Sequence, residues 1–245
     1  MKTNNQLTLT AFVFFFSLLT FAQHEISQRE VIALLELQDR TKGHLWTHKW
    51  DRDTPISEWY GVTIEDGKLI GLDLSNNNLH GKIPLTIGNL KHLEYLNLSN
   101  NKISGKMPKL FRKLKALKTM NLAGNQLKGS MPKTIYQLQS LQELSLANNN
   151  FDGELPNTLT QLSDLATLAV DNNQFAGAMP EGIDEMKSLK ELYVRNNNFA
   201  NLDNIKEMVE NQLVVTDVTI ITSKAEGIQF ENKNSGISNV GFQDH

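Results

Sequence analysis

The sequence predicts an α/β solenoid, an array of short stacked units with a parallel sheet along one side. Three observations predict it. Leucines recur every 24 residues from Leu69 to Leu189, a Leu-x-Leu pair and an asparagine keep fixed places in every unit, and a Gly-x-x-Pro pair follows in five of the six units. A fixed period of this length indicates units that each contact only their neighbours. Because such an array leaves one broad surface for a partner, we expect it to bind rather than to catalyse.

Residues 1–22 have the features of a secretory signal peptide. Lys2 gives a positive start, residues 7–21 form an uncharged apolar run, and Thr20-Phe21-Ala22 offers a small-x-small cleavage site. The run is shorter than the roughly 18 apolar residues that a spanning helix needs. We therefore expect no transmembrane segment, cleavage near Ala22, and export of the chain to the medium, the cell surface or the periplasm.

Composition excludes some classes of site and leaves the partner open. The chain has no cysteine, which excludes disulfides, thiolate metal sites and cysteine nucleophiles. The formal net charge of −3 says little, but the charges are segregated. Residues 95–142 carry nine basic residues and no acid, whereas residues 143–210 carry twelve acids and four basic residues. Head-to-tail association of the two ends is one interpretation, and the sequence does not predict the oligomeric state.

Residues 23–67 precede the repeats and are predicted to form an amino-terminal cap. The segment 27–30 is a Ser-Gln-Arg-Glu capping box, and the apolar spacing after it predicts a helix that stops near Gly43. Trp46, Trp50 and Trp59 follow within fourteen residues. A solenoid has to cover the open end of its core, so we interpret the tryptophans as that cover. A binding cluster is the alternative interpretation.

The repeats occupy residues 68–200, with five complete units and a sixth that degrades after Phe199. The Leu-x-Leu pair has the period of a strand, so six strands about 4.8 Å apart are expected to form a parallel sheet. Each Gly-x-x-Pro pair predicts a turn that leads to a short helix or 3₁₀ turn on the opposite, convex side. The ninth-position amides can bond the backbone where it leaves each strand, and they predict an internal ladder. Its members are Asn77, Asn101, Asn125, Asn149, Asn173 and Asn197.

The pattern changes after Phe199, where the glycine and proline are missing. Residues 201–221 are predicted to form a carboxyl-terminal cap, with a closing helix over 202–209 and a last strand within 213–221. Residues 222–245 are polar and are predicted to be a flexible tail.

The unit LxxLxLxxNxLxGxIPxxIGxL resembles the leucine-rich repeat, in the 24-residue subtype of plant receptor ectodomains and polygalacturonase-inhibiting proteins. The resemblance covers about residues 30–200 and includes the cap segments 34–37 and 59–63. Ser57 and Ile64 occupy the two positions where that family has cysteines, and this departure favours a bacterial secreted relative. The resemblance implies a curved solenoid with a parallel concave sheet and a second set of short strands. It also implies that a peptide, steroid, carbohydrate or protein binds on the concave or lateral surface.

The residues that flank each Leu-x-Leu pair are predicted to face outward from the concave sheet. Most are small, and a generic solvated strand surface is one interpretation of them. Aromatic and charged residues stand out because such anchors dominate interface energetics. They are Tyr95, Glu143, Asp171, Glu191, Tyr193 and Arg195. The main prediction is an exported, non-catalytic recognition module that binds a protein or peptide partner through the concave or lateral face.

Lysines that share a repeat position suggest a second candidate surface. The pairs are Lys82 with Lys106, Lys91 with Lys115, and Lys109 with Lys133. Equivalent residues stack about one strand spacing apart, so these lysines would form a basic flank. The alternative function is a surface-associated glycan-binding or adhesive protein that docks an anionic glycan on this flank. A solvated convex face that keeps the array soluble is the plainer interpretation.

The sequence offers no recognisable catalytic constellation. His44 and His48 could place two imidazoles one helical turn apart, but no third ligand is evident, and we assign both to the cap. No glycine-rich phosphate loop, nucleophile elbow or paired acid motif is present. We therefore predict no enzymatic activity, no metal, no cofactor and no nucleic-acid partner.

Overall fold

A computed structural model describes residues 26–201 and 219–221 of this chain. The signal peptide, the closing helix and the tail predicted above lie outside the described residues. Within the described ranges, no helix is both long enough and apolar enough to cross a membrane.

The amino-terminal cap begins with the helix α1 (Gln28–Arg40), which the capping box starts. The Ser27 hydroxyl accepts from the Glu30 N–H, and the Glu30 carboxylate accepts from the Ser27 N–H at 2.9 Å. The helix ends at Arg40, three residues before the predicted stop, because Lys42 takes a left-handed φ of 55°. Two 3₁₀ helices and a strand complete the cap: η1 (Gly43–Leu45), η2 (Ile56–Glu58) and β1 (Val62–Glu65).

The three tryptophans of the cap lie inside the core, as predicted. Trp46, Trp50 and Trp59 are 2%, 4% and 5% exposed and belong to the same apolar cluster as the repeat leucines. Their rings contact one another, with centroids 4.9 Å apart for the first pair and 4.7 Å for the second. Each indole N–H donates to a backbone carbonyl of the cap. Burial of the large rings closes the leucine core while the polar N–H groups stay satisfied.

After β1, the strands of the concave sheet are β2 (Lys68–Asp73), β4 (Tyr95–Asn97), β6 (Thr119–Asn121), β8 (Glu143–Ser145), β10 (Thr167–Ala169), β12 (Glu191–Tyr193) and β14 (Thr219–Ile221). Within the described residues the sheet has eight strands, in the order β1-β2-β4-β6-β8-β10-β12-β14. Six are the predicted Leu-x-Leu strands, and the cap strand β1 and a last strand β14 extend the sheet at its two ends. Strand β1 pairs antiparallel with β2, and the other pairs are parallel.

A second parallel sheet and a row of 3₁₀ helices form the rest of each repeat. The sheet contains β3 (His80–Gly81), β5 (Lys102–Gly105), β7 (Gln126–Gly129), β9 (Asn150–Gly153), β11 (Gln174–Ala178) and β13 (Asn198–Asn201). The helices are η3 (Leu85–Asn89), η4 (Lys109–Lys113), η5 (Lys133–Gln137), η6 (Asn157–Gln161) and η7 (Ile183–Glu185). The first four have a proline at the N-cap, where the missing N–H would have no partner within the helix. The predicted 3₁₀ turns and the second set of strands are confirmed.

The asparagine ladder holds each turn between the two sheets. In Asn125, Oδ1 accepts from the Ile103 N–H at 3.0 Å, and Nδ2 donates to the Leu98 and Leu122 carbonyls at 2.9 and 3.1 Å. The same pattern recurs at Asn101, Asn149, Asn173 and Asn197. The first member, Asn77, bonds both the N–H and the carbonyl of His48 instead. The ladder therefore connects the repeats to one another and to the cap.

We predict that replacing Asn125 with Ala lowers the free energy of unfolding by about 1–3 kcal/mol, because the backbone groups that it serves stay buried without a partner. Urea unfolding monitored by circular dichroism measures the change. Gln126, the exposed next residue, provides a matched control as Gln126→Ala, which we expect to unfold like the wild type. Equal unfolding midpoints for the Asn125 variant and the wild type would contradict a structural role for the ladder.

Candidate binding surface on the concave sheet

The concave face is built from three positions of each repeat, counted from the leucine at position one. Because neighbouring strands pair equivalent residues, each position forms a row with a spacing of about 4.8 Å. Position three carries Gly71, Tyr95, Thr119, Glu143, Thr167 and Glu191. Position five carries Asp73, Asn97, Asn121, Ser145, Ala169 and Tyr193, and position seven carries Ser75, Ser99, Ala123, Ala147, Asp171 and Arg195.

At the cap end of this face, Asp73, Tyr95 and Asn97 form a hydrogen-bonded group that we name the first cluster. The Tyr95 hydroxyl and the Asn97 Nδ2 each donate to Asp73 Oδ2 at 3.1 Å. Asp73 Oδ1 also accepts from the Ser75 N–H at 2.9 Å, which fixes the carboxylate on its strand. Of these three residues, only Tyr95 was predicted from the sequence, and Asp73 and Asn97 were missed. The acid in an otherwise uncharged row was the signal that could have identified Asp73.

At the opposite end, Thr167, Asp171, Glu191, Tyr193 and Arg195 form the second cluster. Glu191 Oε2 accepts from the Thr167 hydroxyl at 3.2 Å, and the Tyr193 hydroxyl lies 3.5 Å from the same oxygen. Asp171 Oδ2 accepts from Asn172 Nδ2 at 2.7 Å, and the charge of Arg195 acts on this carboxylate from the next repeat. The structure thus brings together four of the six concave residues that the sequence predicted.

The two remaining predicted residues lie apart from the second cluster. Tyr95 is on β4, four strands before Tyr193 on β12, a distance of about 19 Å at 4.8 Å per strand. Glu143 lies between the clusters on β8, in register with Thr119 and Thr167, and makes no ion pair with a described residue.

Short side chains cover the floor between the clusters. Ala147 and Ala169 are 7% and 6% exposed, and Ser145 on β8, which pairs with Ala169 on β10, is 1% exposed. Asn121 is also buried, and its Oδ1 accepts from the Ala123 N–H at 3.1 Å. Several positions that the sequence assigned to an outward surface are therefore nearly covered, because neighbouring side chains crowd a face with so small a strand spacing. The result is a low floor between two higher polar clusters.

Burial shifts the pKa of two groups of the second cluster, Asp171 and Tyr193. It raises the pKa of Asp171 above 3.8, and this effect outweighs the opposing hydrogen bonds and the Arg195 charge. Burial also raises the pKa of Tyr193, and the carboxylates of Glu191 and Asp171 raise it further. The Asp171 carboxylate is therefore poorly solvated.

The predicted basic residues are all exposed, but they lie in three separate rows on the convex half of the array. Lys109 and Lys133 are the first residues of η4 and η5, whereas Lys91 and Lys115 come two residues after η3 and η4 end. Lys115 Nζ donates to the Gln137 carbonyl at 2.7 Å. The third row is Lys82 and Lys106, whose side chains lie beside Gly105 and Gly129 of the next repeats. The rows thus occupy both ends of the 3₁₀ helices.

The structure offers no metal centre among residues 26–201 and 219–221, where no three His, Asp or Glu side chains are grouped to hold an ion. The His48 ring stacks on Tyr60 with centroids 4.2 Å apart, and its backbone bonds Asn77. His48 therefore has a structural position in the cap.

Two known families together match most of the repeat region. The family described as leucine rich repeat matches residues 68–127, and the family described as leucine-rich repeat region matches residues 127–214. Receptor-like protein 36 of Arabidopsis thaliana is 45% identical over 64 residues, which are 26% of this chain and 8% of that protein.

Solved plant structures share the fold. The ectodomain of the Arabidopsis receptor kinase HAESA, in complex with an N-terminally extended IDA peptide hormone ligand, is 27% identical, with a TM-score of 0.59 over 69% of this chain and 29% of that one. A plant ice-binding protein is 26% identical, with a TM-score of 0.64 over 71% of this chain and 58% of that one. The chain spans less than two thirds of each of these three proteins. All three are plant proteins and give no support to a bacterial source.

We predict that replacing Asp171 with Asn makes stability less sensitive to rising pH. Because the folded-state pKa is raised above 3.8, the folded chain binds this proton more tightly than the unfolded chain does. The stability that the protonated Asp171 carboxyl contributes is complete below the ordinary pKa of 3.8. It is lost as the pH rises through the raised pKa. Urea unfolding at several pH values between about 3.5 and 7 measures the difference from the wild type.

The exposed acid Asp152 supplies the matched control for this experiment. The Asp152→Asn variant should follow the wild-type pH dependence over the same range. If the Asp171→Asn and wild-type free energies of unfolding stay parallel at every pH, burial does not perturb Asp171 as described.

Proposed function

Because this chain is a leucine-rich-repeat protein that resembles plant receptor ectodomains, we propose that it is an exported recognition module that binds a peptide along its concave sheet. The peptide is either free or an extended segment of a protein. The observation that carries the proposal is the pair of polar clusters about 19 Å apart over a floor of short side chains.

The shape of the concave face supports an extended occupant. Side chains no larger than those of Ser145, Ala147 and Ala169 let a peptide backbone approach the middle of the sheet. Tyr95 and Tyr193 lie at the two ends, where amphipathic rings can anchor the ligand. The HAESA ectodomain, a relative in fold, is described in complex with a peptide hormone ligand, and this supports the same class of ligand here.

Export is supported by two features. The segment 1–22 has the charge, apolar run and cleavage site of a signal peptide. The chain also resembles the ectodomains of plant receptors. The non-catalytic part of the proposal is supported by the repeat itself, because the recurring residues have structural roles in the core, the ladder and the turns.

A second candidate function is docking of an anionic glycan on the lysine rows. The observation that favours it is that none of these six exposed lysines forms an ion pair with a described carboxylate. Their placement at both ends of the 3₁₀ helices spreads the charge over the convex half, so this surface is less focused than the concave face.

The similarity to a plant ice-binding protein does not suggest a further candidate function. Asparagines form a regular row at position eight of the repeats, but the backbone conformation at that position explains why asparagine recurs there. Asparagine tolerates the left-handed region better than most residues, and φ at these positions is 52–55°. The residues of the row are Asn76, Asn100, Asn148, Asn172 and Asn196.

We predict that replacing Tyr193 and Arg195 together with Ala weakens peptide binding about tenfold or more, because the change removes the aromatic and guanidinium anchors of the second cluster. The probe is the strongest binder from a random peptide library displayed on phage and selected on the immobilised mature protein. Isothermal titration calorimetry of the synthetic peptide gives the dissociation constant for each variant.

The double variant Lys109→Ala, Lys133→Ala serves as the control and should bind the peptide like the wild type. The proposal fails if the concave variant keeps full affinity. If the lysine variant alone loses binding, and a heparin-type glycan binds with a steep dependence on salt, the function is glycan docking.

A further inference from the structure

The concave face is acidic. The three concave positions of the six repeats contain the acids Asp73, Glu143, Asp171 and Glu191 and only one base, Arg195. The six lysines of the basic rows all lie on the convex half. The two surfaces of the array thus differ in sign, and a ligand of the concave face meets mainly carboxylates.

Two of these carboxylates, Asp73 and Glu191, are held in place without being neutralised by a described residue. Among the described residues, Asp73 accepts only from neutral donors, namely the Tyr95 hydroxyl, the Asn97 amide and the Ser75 N–H. Glu191 likewise accepts from hydroxyl groups. Neither carboxylate forms an ion pair with a described residue. Because an ionised carboxylate offers about four acceptor sites, each keeps capacity for a charged donor.

A second observation is independent of the acids and also points to a ligand. The Ser145 hydroxyl is buried, with 1% of the residue exposed, and has no hydrogen-bond partner among the described residues. Strand alternation directs it toward the concave side of β8, between the two clusters. A buried hydroxyl without a partner is unfavourable, and a small shift of the side chains that cover it would let an N–H or carbonyl of a peptide main chain over β8 supply one.

The spacing of the clusters sets the spacing of complementary groups on a ligand. Tyr95 on β4 and Tyr193 on β12 are four strands apart, or about 19 Å. An extended peptide rises about 3.3 Å per residue, so six residues span this distance. Side chains six residues apart also point to the same side of an extended chain, because the period is two.

We propose that the concave sheet selects an extended basic peptide with two cationic side chains about six residues apart, one for each cluster. This inference rests on the proposed function and specifies its ligand class. The first cation lies against Asp73 and the Tyr95 ring, and the second lies against Glu191 and the Tyr193 ring, while Asp171 faces Arg195. Lysine or arginine fits both places, because a carboxylate and an aromatic face both attract a cation. Glu143 faces the middle of the bound segment.

The experiment uses synthetic twelve-residue peptides of neutral residues with two lysines separated by two, four, six or eight positions. Calorimetry measures their binding to the mature protein at low salt. We expect the six-residue separation to bind tightest. Replacing either lysine of that peptide with norleucine should weaken binding about tenfold.

Variants of the protein test the partners of each cation. Asp73→Asn and Glu191→Gln should each weaken binding of the six-residue peptide about tenfold, and combining Asp73→Asn with loss of the first lysine should add little more. The matched controls are Asp152→Asn and Glu181→Gln, which remove exposed acids elsewhere and should leave the affinity unchanged. The norleucine peptides keep the test independent of how each variant folds.

The outcomes separate this inference from the proposed function. Equal affinity at all four separations, or no effect of norleucine, overturns the inference. If library-selected peptides lack paired cations yet still depend on Tyr193 and Arg195, the inference falls and the proposed function stands. If no selected peptide depends on Tyr193 and Arg195, both fall.

Discussion

The amide of the ninth-position asparagine fixes the path of the chain where it leaves each concave strand, and the rest of the structure depends on that. One side chain satisfies a backbone N–H of the preceding repeat and carbonyls of both repeats, as Asn125 does for Ile103, Leu98 and Leu122. Each unit is thereby locked to its neighbour in register, and the leucines stack into one core. Asn77 extends the same device to the cap through His48. Without disulfides, this ladder and the buried leucines hold the array together.

The register of the strands determines which side chains are neighbours on the concave surface. Since equivalent residues pair across the concave sheet, each side chain there has a fixed neighbour one strand away. Asp73 can therefore meet Tyr95 and Asn97 of the next repeat, and Thr167 can meet Glu191. The structural pattern leaves few positions free to vary, and those positions give the concave face its acids and the convex half its lysines. Binding specificity therefore depends on these few variable positions.

Much of the architecture could be predicted from the sequence because it is periodic. The strands, the ladder, the 3₁₀ turns and the tryptophan cover each follow from a residue type at a recurring position. The first cluster could not be predicted in the same way, because Asp73 and Asn97 are one repeat apart and look like ordinary surface residues. The unpartnered Ser145 hydroxyl depends on how closely neighbouring strands cover it, which a sequence pattern does not encode. The three lysine rows were predicted as one flank, since repeat position alone does not say at which end of a 3₁₀ helix a residue lies.

The central claim is that the concave sheet holds an extended ligand between the two clusters. A crystal structure of the mature protein with its strongest library-selected peptide tests this most directly. The account predicts an extended peptide lying across β4 to β12, with its main chain over Ser145 and its two anchor side chains at Tyr95 and Tyr193. A peptide seated on the 3₁₀ helices, or one that leaves either cluster without a contact, would contradict it.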